Sequence, residues 1–204
     1  MTNLGSPRHD RIMILPVVAY GSNILRKVAE EITPEYPGFE KLLKDMWETM
    51  YNSNGVGLAA PQINKSIRMF VMDSVQIFEN MDEEDKGVYP DEPGYKGVFI
   101  NAQIDALNGE PWPYNEGCLS IPKIREDVKR SETVTISFDD ENFEPHTKTF
   151  NGITARVILH EYDHLEGKLF IDYLPPLKRR LIKGKLDDIS KGKVKTDYRM
   201  VTYK

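Results

Sequence analysis

Asn151-Gly152-Ile153-Thr154-Ala155-Arg156-Val157-Ile158-Leu159-His160-Glu161-Tyr162-Asp163-His164-Leu165-Glu166-Gly167 is the stretch whose period decides the fold. Ile153, Val157, Ile158, Leu159 and Leu165 make its interior apolar; Asn151 suits a helix start and Gly167 a helix end. The spacing predicts a helix over residues 151–166. Inside it stands His160-Glu161-Tyr162-Asp163-His164. Residues four apart lie about 40° apart around a helix and one turn along it, so both imidazoles can reach one ion. Glu161, beside the first imidazole, could take a proton from water polarised by that ion and return it to a leaving group. Two of the chain's four histidines fall in this pentapeptide. A surface helix with incidental histidines is the competing description, and the apolar surroundings count against it.

Two imidazoles do not complete a catalytic metal site, which wants a third protein ligand and one open position. No His follows His164 and no Glu follows Glu166. The extended protease pattern H-E-x-x-H-x-x-G-x-x-H is met at Gly167 but has Phe170 in place of its third His, which argues against that protease clan. Asp172 remains as a downstream carboxylate, and with it a metalloendopeptidase. Upstream stands the chain's one cysteine, Cys118, in Glu116-Gly117-Cys118-Leu119-Ser120. A thiolate is a strong ligand for Zn²⁺ or Fe²⁺. A lone cysteine is otherwise a small buried apolar residue; beside a two-His helix short of a ligand, the metal role is favoured.

A third segment, Gly55-Val56-Gly57-Leu58-Ala59-Ala60-Pro61-Gln62, formally fits a relaxed dinucleotide fingerprint. Its context is wrong, because it follows a helix rather than a strand and Pro61 suits no helix starting here. Its glycines allow a backbone to approach a ligand closely, and Gln62 offers an amide donor to a developing oxyanion. A plain turn into the next strand is the alternative.

Outward from these segments, Phe39, Leu42, Leu43, Met46, Trp47, Met50 and Tyr51 recur at helical spacing between Pro37-Gly38 and Asn54-Gly55. The Met, Trp and Tyr stripe of this helix is expected in the core. β-rich runs cover residues 67–72, 98–104, 132–138 and 143–150. Residues 79–92, with seven acids, one lysine and Pro90, are expected as a solvated loop. Pro175-Pro176 opens a third helix carrying Leu177, Leu181, Leu186 and Ile189. Helices and strands do not alternate, so the expected class is α+β: mainly antiparallel sheets packed around the central metal-binding helix, with a C-terminal helix.

At 204 residues the chain suits one domain, with 40% hydrophobic and 29% charged residues as in ordinary globular proteins. We expect a single catalytic domain over 1–183 and a basic tail over 184–204 continuing from the last helix. No apolar run approaches the roughly 20 residues of a spanning helix, and a single cysteine forms no intrachain disulfide. A cytoplasmic protein is expected, with neither membrane nor DNA as partner. The net charge is −5. From Lys178 to Lys204, however, ten basic and three acidic residues give +7. A binding module touching RNA or the ribosome through that tail, its histidines incidental, is the non-enzymatic alternative. His9 and His146 have no motif context and are expected at the surface.

Taken together and in this order, the three segments resemble the signatures of the peptide deformylase family: G-x-G-x-A-A-x-Q, E-G-C-x-S and H-E-x-D-H. Every specified position is matched, and the likeness runs through most of residues 12–182. The resemblance implies that Cys118, His160 and His164 bind one divalent ion, usually Fe²⁺, with Zn²⁺, Ni²⁺ or Co²⁺ able to replace it. It implies that Glu161 is the general acid and base. Gln62 and the backbone N–H of Leu119 would stabilise the oxyanion, and Val56 and Gly57 would pair with an extended peptide. Tyr114 and Arg125 would line the cleft, and Asp163 would orient a neighbour rather than bind the ion. The implied reaction removes formyl from the N-terminal formylmethionine of nascent polypeptides and releases formate. Transient ribosome contact through the basic tail is a further expected partnership.

Overall fold

Met69-Phe70-Val71-Met72 shows no polar alternation because the strand it forms is buried on both faces. A computed structural model describes residues 11–86 and 94–202. In chain order its elements are β1 (Val17–Val18), α1 (Phe39–Asn52), β2 (Gly57–Ala59), β3 (Met69–Asp73), α2 (Val75–Glu79) and α3 (Glu83–Lys86). There follow β4 (Lys96–Asn108), β5 (Trp112–Cys118), β6 (Ile121–Arg130), β7 (Thr133–Asp139) and β8 (Pro145–Asn151). The chain continues through α4 (Gly152–Leu165), α5 (Pro176–Ser190) and β9 (Met200–Val201). An antiparallel five-stranded sheet has the order β2-β3-β4-β7-β8; β5 and β6 form a separate hairpin, and β9 lies parallel to β1. The α+β class with mainly antiparallel sheets and a C-terminal helix is as expected.

Each face of the main sheet takes one helix. Phe70 and Met72 of β3 pack with Phe99, Val134, Ile136 and Phe138 against Ala155, Ile158, Leu159 and Leu165 of α4. Met69 and Val71 point the other way, onto Met46 and Met50 of α1 with Leu58 and Ile100. Strand β7, between β4 and β8, alternates as a half-buried strand should: Val134, Ile136 and Phe138 face inward. Its Thr135 and Ser137 hydroxyls meet Thr149 and Thr147 of β8 on the wet face, each pair at 2.9 Å. Helix α4 is therefore sandwiched, and twelve of its fourteen residues are buried. That burial places its polar end inside the protein.

Several expectations need correction. In the α1 stripe the methionines are core, but Trp47 is half-buried and Tyr51 is 38% exposed. The two rings stack at 5.9 Å under the Lys96 ammonium, and the Tyr51 hydroxyl donates to Asp73 Oδ2 at 2.6 Å. Amphipathic rings can cover the core while their polar edges stay near water. On α5 it is Ile182, Leu186 and Ile189 that pack inward, whereas Leu177 and Leu181 are 67% and 74% exposed. These last two lie one turn apart on a stripe about 100° from Ile182, and one stripe alone meets the body. The acidic segment is partly helical, since α2 ends at Glu79 and α3 adds one turn; residues 87–92 and His9 lie outside the described residues. His146 is half-buried against Asp140.

Hairpin β5–β6 and the return of the chain end were not foreseen. Residues 184–190 complete α5, and residues 191–202 turn back until β9 meets β1. Phe99, fully buried, stacks on Phe70 at 4.6 Å and meets Phe138 at 4.2 Å. We expect Phe99→Ala to lower unfolding stability by about 3–5 kcal/mol, read as a fall in the urea midpoint.

Candidate active site

The buried end of α4 meets the β5–β6 hairpin and the edge of the main sheet. Cys118 ends β5, and its Sγ lies 3.3 Å from His164 Nε2. One donor atom each from Cys118, His160 and His164 falls within 4.8 Å of the others. Among the described residues, Asp172 has no part in this cluster. Its carboxylate instead holds Arg26 at 2.5 and 3.2 Å and accepts the Leu169 N–H at 2.8 Å, which removes the basis for the endopeptidase alternative.

Glu116, two residues before the cysteine, is buried. Its Oε2 accepts from His160 Nδ1 at 3.0 Å and from Arg130 Nη2 at 3.0 Å. Its Oε1 accepts from Arg130 Nε at 2.7 Å and from Arg156 Nη1 at 3.1 Å. Fixing Nδ1 as the donor turns His160 Nε2 toward the other two ligating atoms. Asp163, also buried, pairs with Arg130 Nη1 at 2.6 Å and accepts from the Tyr173 hydroxyl at 2.9 Å. It orients Arg130 and stays out of the cluster. Neither arginine was singled out by sequence, and the lone signal was that each is a charge inside an otherwise structured segment.

Glu161 lies one residue along α4 from His160 and is buried, and its Oε2 has no partner among the described residues. Such an atom is where a reacting water or substrate atom belongs. Burial pushes its carboxyl up to about 7. Gly57 faces it so closely that a Cβ there would stand 2.6 Å from Glu161 Cδ and 2.7 Å from Cγ. Only glycine lets strand and carboxylate share this space. Gln62, in the short 3-10 turn after β2, accepts the Ala59 N–H at 2.9 Å. Its amide nitrogen is thereby aimed at Cys118 Sγ, 3.4 Å away, and Ser120 Oγ, 3.3 Å away.

The donor set fits a metal ion. Burial alone would discharge His160, yet the Cys118 sulfur and Glu116 outweigh it and hold the imidazole well above its usual range. A positive charge is wanted at that point, and a cation can supply it in place of the proton. Burial, with the charge on His160, holds His164 well below its usual range, as the neutral form that ligates. Thiolate with two imidazoles suits Fe²⁺, Zn²⁺, Co²⁺ or Ni²⁺ and disfavours Mg²⁺ and Ca²⁺.

A cleft of about 510 Å³ opens over the cluster. Val56, Gly57, Gln62, Tyr114, Cys118, Leu119, Arg125, His160 and Glu161 all line it, so these residues, singled out from sequence, meet in one place. His164 lies beneath them, buried. Arg125 is braced by Asn115, donating to its Oδ1 at 2.9 Å and its backbone oxygen at 2.6 Å. Thr196, Asp197 and Tyr198 line the cleft too, and nothing in their sequence announced it.

Fold and cleft together define a metal-dependent hydrolase. A sequence profile of the polypeptide deformylase family matches residues 14–180. Peptide deformylase of Christiangramia forsetii is 53% identical over 190 residues, covering 92% of this chain and 95% of that protein. The Flavobacterium johnsoniae peptide deformylase is 51% identical over 191 residues, with the same coverage. Among solved structures, the crystal structure of a Legionella pneumophila peptide deformylase aligns with a TM-score of 0.74 at 35% identity, covering 88% of this chain and 96% of that one. The chain belongs to the polypeptide deformylase family. The reading as a non-enzymatic RNA-binding module is set aside, since these relatives are enzymes over nearly their whole length.

Removing Arg130 would take its guanidinium from two buried carboxylates, leaving Glu116 to Arg156 and His160, and Asp163 to the Tyr173 hydroxyl. We expect Arg130→Met to lose about 3–5 kcal/mol of stability, measured by urea denaturation.

Proposed function

We propose that Cys118, His160 and His164 hold one divalent ion, Fe²⁺ in the native enzyme, and that the enzyme removes formyl from the formylmethionine of nascent polypeptides. The observation that carries this is the meeting of one sulfur and two imidazoles beside a buried carboxylate with a free oxygen. Bound there, the ion would supply Lewis-acid polarisation of water and of the formyl oxygen. Glu161 takes a proton from the attacking water; burial makes it a stronger base than an exposed carboxylate. The Gln62 amide and the Leu119 N–H donate to the formyl oxygen as it gains charge. Glu161 then returns its proton to the methionine nitrogen, the C–N bond breaks, and formate and a free amine leave.

Peptide positioning follows from the sheet. Strand β2 is the outer strand of its sheet, and Val56 and Gly57 line the cleft beside it. An extended substrate adds there as a further strand, which orders its main chain whatever its side chains are. Tyr114 and Arg125 flank it from the hairpin. No helix among the described residues is long and apolar enough to cross a membrane. A cytoplasmic location fits a substrate emerging from ribosomes, and the basic C-terminal helix and tail suit transient contact with ribosomal RNA. In this scheme residues 1–183 carry the metal donors, the acid–base group and the oxyanion donors, and the segment after them completes the cleft wall.

Anaerobically prepared enzyme is expected to carry one ion per chain and to release formate from a formyl-Met tripeptide. Glu161→Gln should keep the ion and lower kcat by at least about 10³-fold, while Cys118→Ala should lose the ion. Metal analysis and formate release on the same samples decide both; normal turnover by Glu161→Gln would defeat the mechanism.

A further inference from the structure

The last dozen described residues lie beyond residue 180, where the family match ends. They are nevertheless built into the cleft. After α5 the chain turns at Gly192, and Val194 and Met200 pack on the cluster holding Ile121, Ile124 and Phe170. β9 is then held to β1 by Val17 N–H to Arg199 O at 2.9 Å and Ala19 N–H to Val201 O at 2.8 Å. Between these anchors Thr196, Asp197 and Tyr198 form part of the cleft wall.

Tyr198 reaches the turn that carries the cysteine. Its hydroxyl donates to the Leu119 carbonyl at 2.7 Å. The next carbonyl, Ser120, accepts the Tyr20 N–H at 2.8 Å, and Tyr20 lies just beyond β1. One small parallel ladder thus grips two successive carbonyls of the hairpin turn. Thr196 Oγ1 donates to the Tyr198 carbonyl at 2.6 Å and stiffens the strap from within. On the other side of the turn, Cys118 is fixed through its sulfur.

We infer that Tyr198 is a positioning residue for deformylation, its hydroxyl holding the Leu119–Ser120 peptide plane so that the Leu119 N–H stays aimed at the developing oxyanion. This rests on the site assigned under Proposed function. Leu119 is held at its carbonyl by Tyr198 on one side and through the anchored Cys118 sulfur on the other, which narrows its φ and ψ, and a donor aimed beforehand needs no reorganisation during the reaction. A hydroxyl that merely anchored the chain end would leave the catalytic constant alone.

Tyr198→Phe in the full, metal-loaded chain keeps the ring and removes only the hydroxyl. Expected are an about ten-fold lower kcat on a formyl-Met tripeptide, KM within about two-fold and one ion still bound. Amide exchange in peptides spanning residues 117–121 should quicken. Unchanged kcat in the folded, loaded variant, or a rise in KM alone, overturns the positioning role. If Tyr198→Phe does not fold, Thr196→Val loosens the same strap and must lower kcat with KM kept; unaltered kcat there is equally decisive against it. An unmodified chain that releases no formate would refute the deformylase assignment instead, and turn exchange would still report on the Tyr198 bond.

Discussion

A carboxylate sealed inside the protein, Glu116, is the constraint on which the site's geometry depends. Its two oxygens offer about four lone-pair positions. Four donors fill them, from Arg130 twice, Arg156 and His160. Taking these charges out of water costs several kcal/mol per ion, which attraction within the group offsets only when the geometry is good. What the arrangement secures is orientation. Glu116 lies on β5, Arg130 on β6, and Arg156 and His160 on α4, so one side chain ties the hairpin to the helix. The hydrogen bond at His160 Nδ1 then decides which way the other nitrogen faces.

The same economy of space governs the opposite wall. Gly57 brings bare backbone against Glu161, and the carboxylate is thereby confined between strand and ligands. Burial is what raises its proton affinity. Gln62 keeps its carbonyl oxygen occupied by its own turn, which leaves the amide nitrogen as the end presented to the cleft. Acid–base group and oxyanion donor are both set by the backbone of the β2 segment, through Gly57 and Ala59.

Much of this was legible in the sequence, for identifiable reasons. α1 announces itself by a stripe buried at helical period, α4 by an apolar interior between Asn151 and Gly167, and β7 by alternating over one wet and one dry face. The β5–β6 hairpin hid itself. Glu116, Arg130 and Arg156 are charges where a strand or helix pattern expects apolar residues, and Lys123 bends β6 at φ 62°. Polar residues that serve one another across elements have no local period, so nothing short of tertiary structure pairs them. β1 and β9 are two residues each and meet from opposite ends of the chain, which no window along the sequence can join. Cys118, His160 and His164 were legible for the converse reason: few residue types ligate a soft cation, and this chain has few of them.

The third ligand's place in the chain has a physical consequence. Cys118 lies 46 residues from His164, so bringing them together closes a long loop, a cost that grows only slowly with length. Contacts outside the donor set contribute to that closure. The five-stranded sheet, the Glu116 cluster, the Gln62 amide and the Tyr198 strap each hold one side of the site by contacts of their own. The Cys118 sulfur and Glu116 favour a positive charge at His160, which an ion bound there would supply. In small zinc-dependent domains the ion organises the fold; here the sheet, the Glu116 cluster and the strap also hold the donors, and one coordination position can be left to substrate.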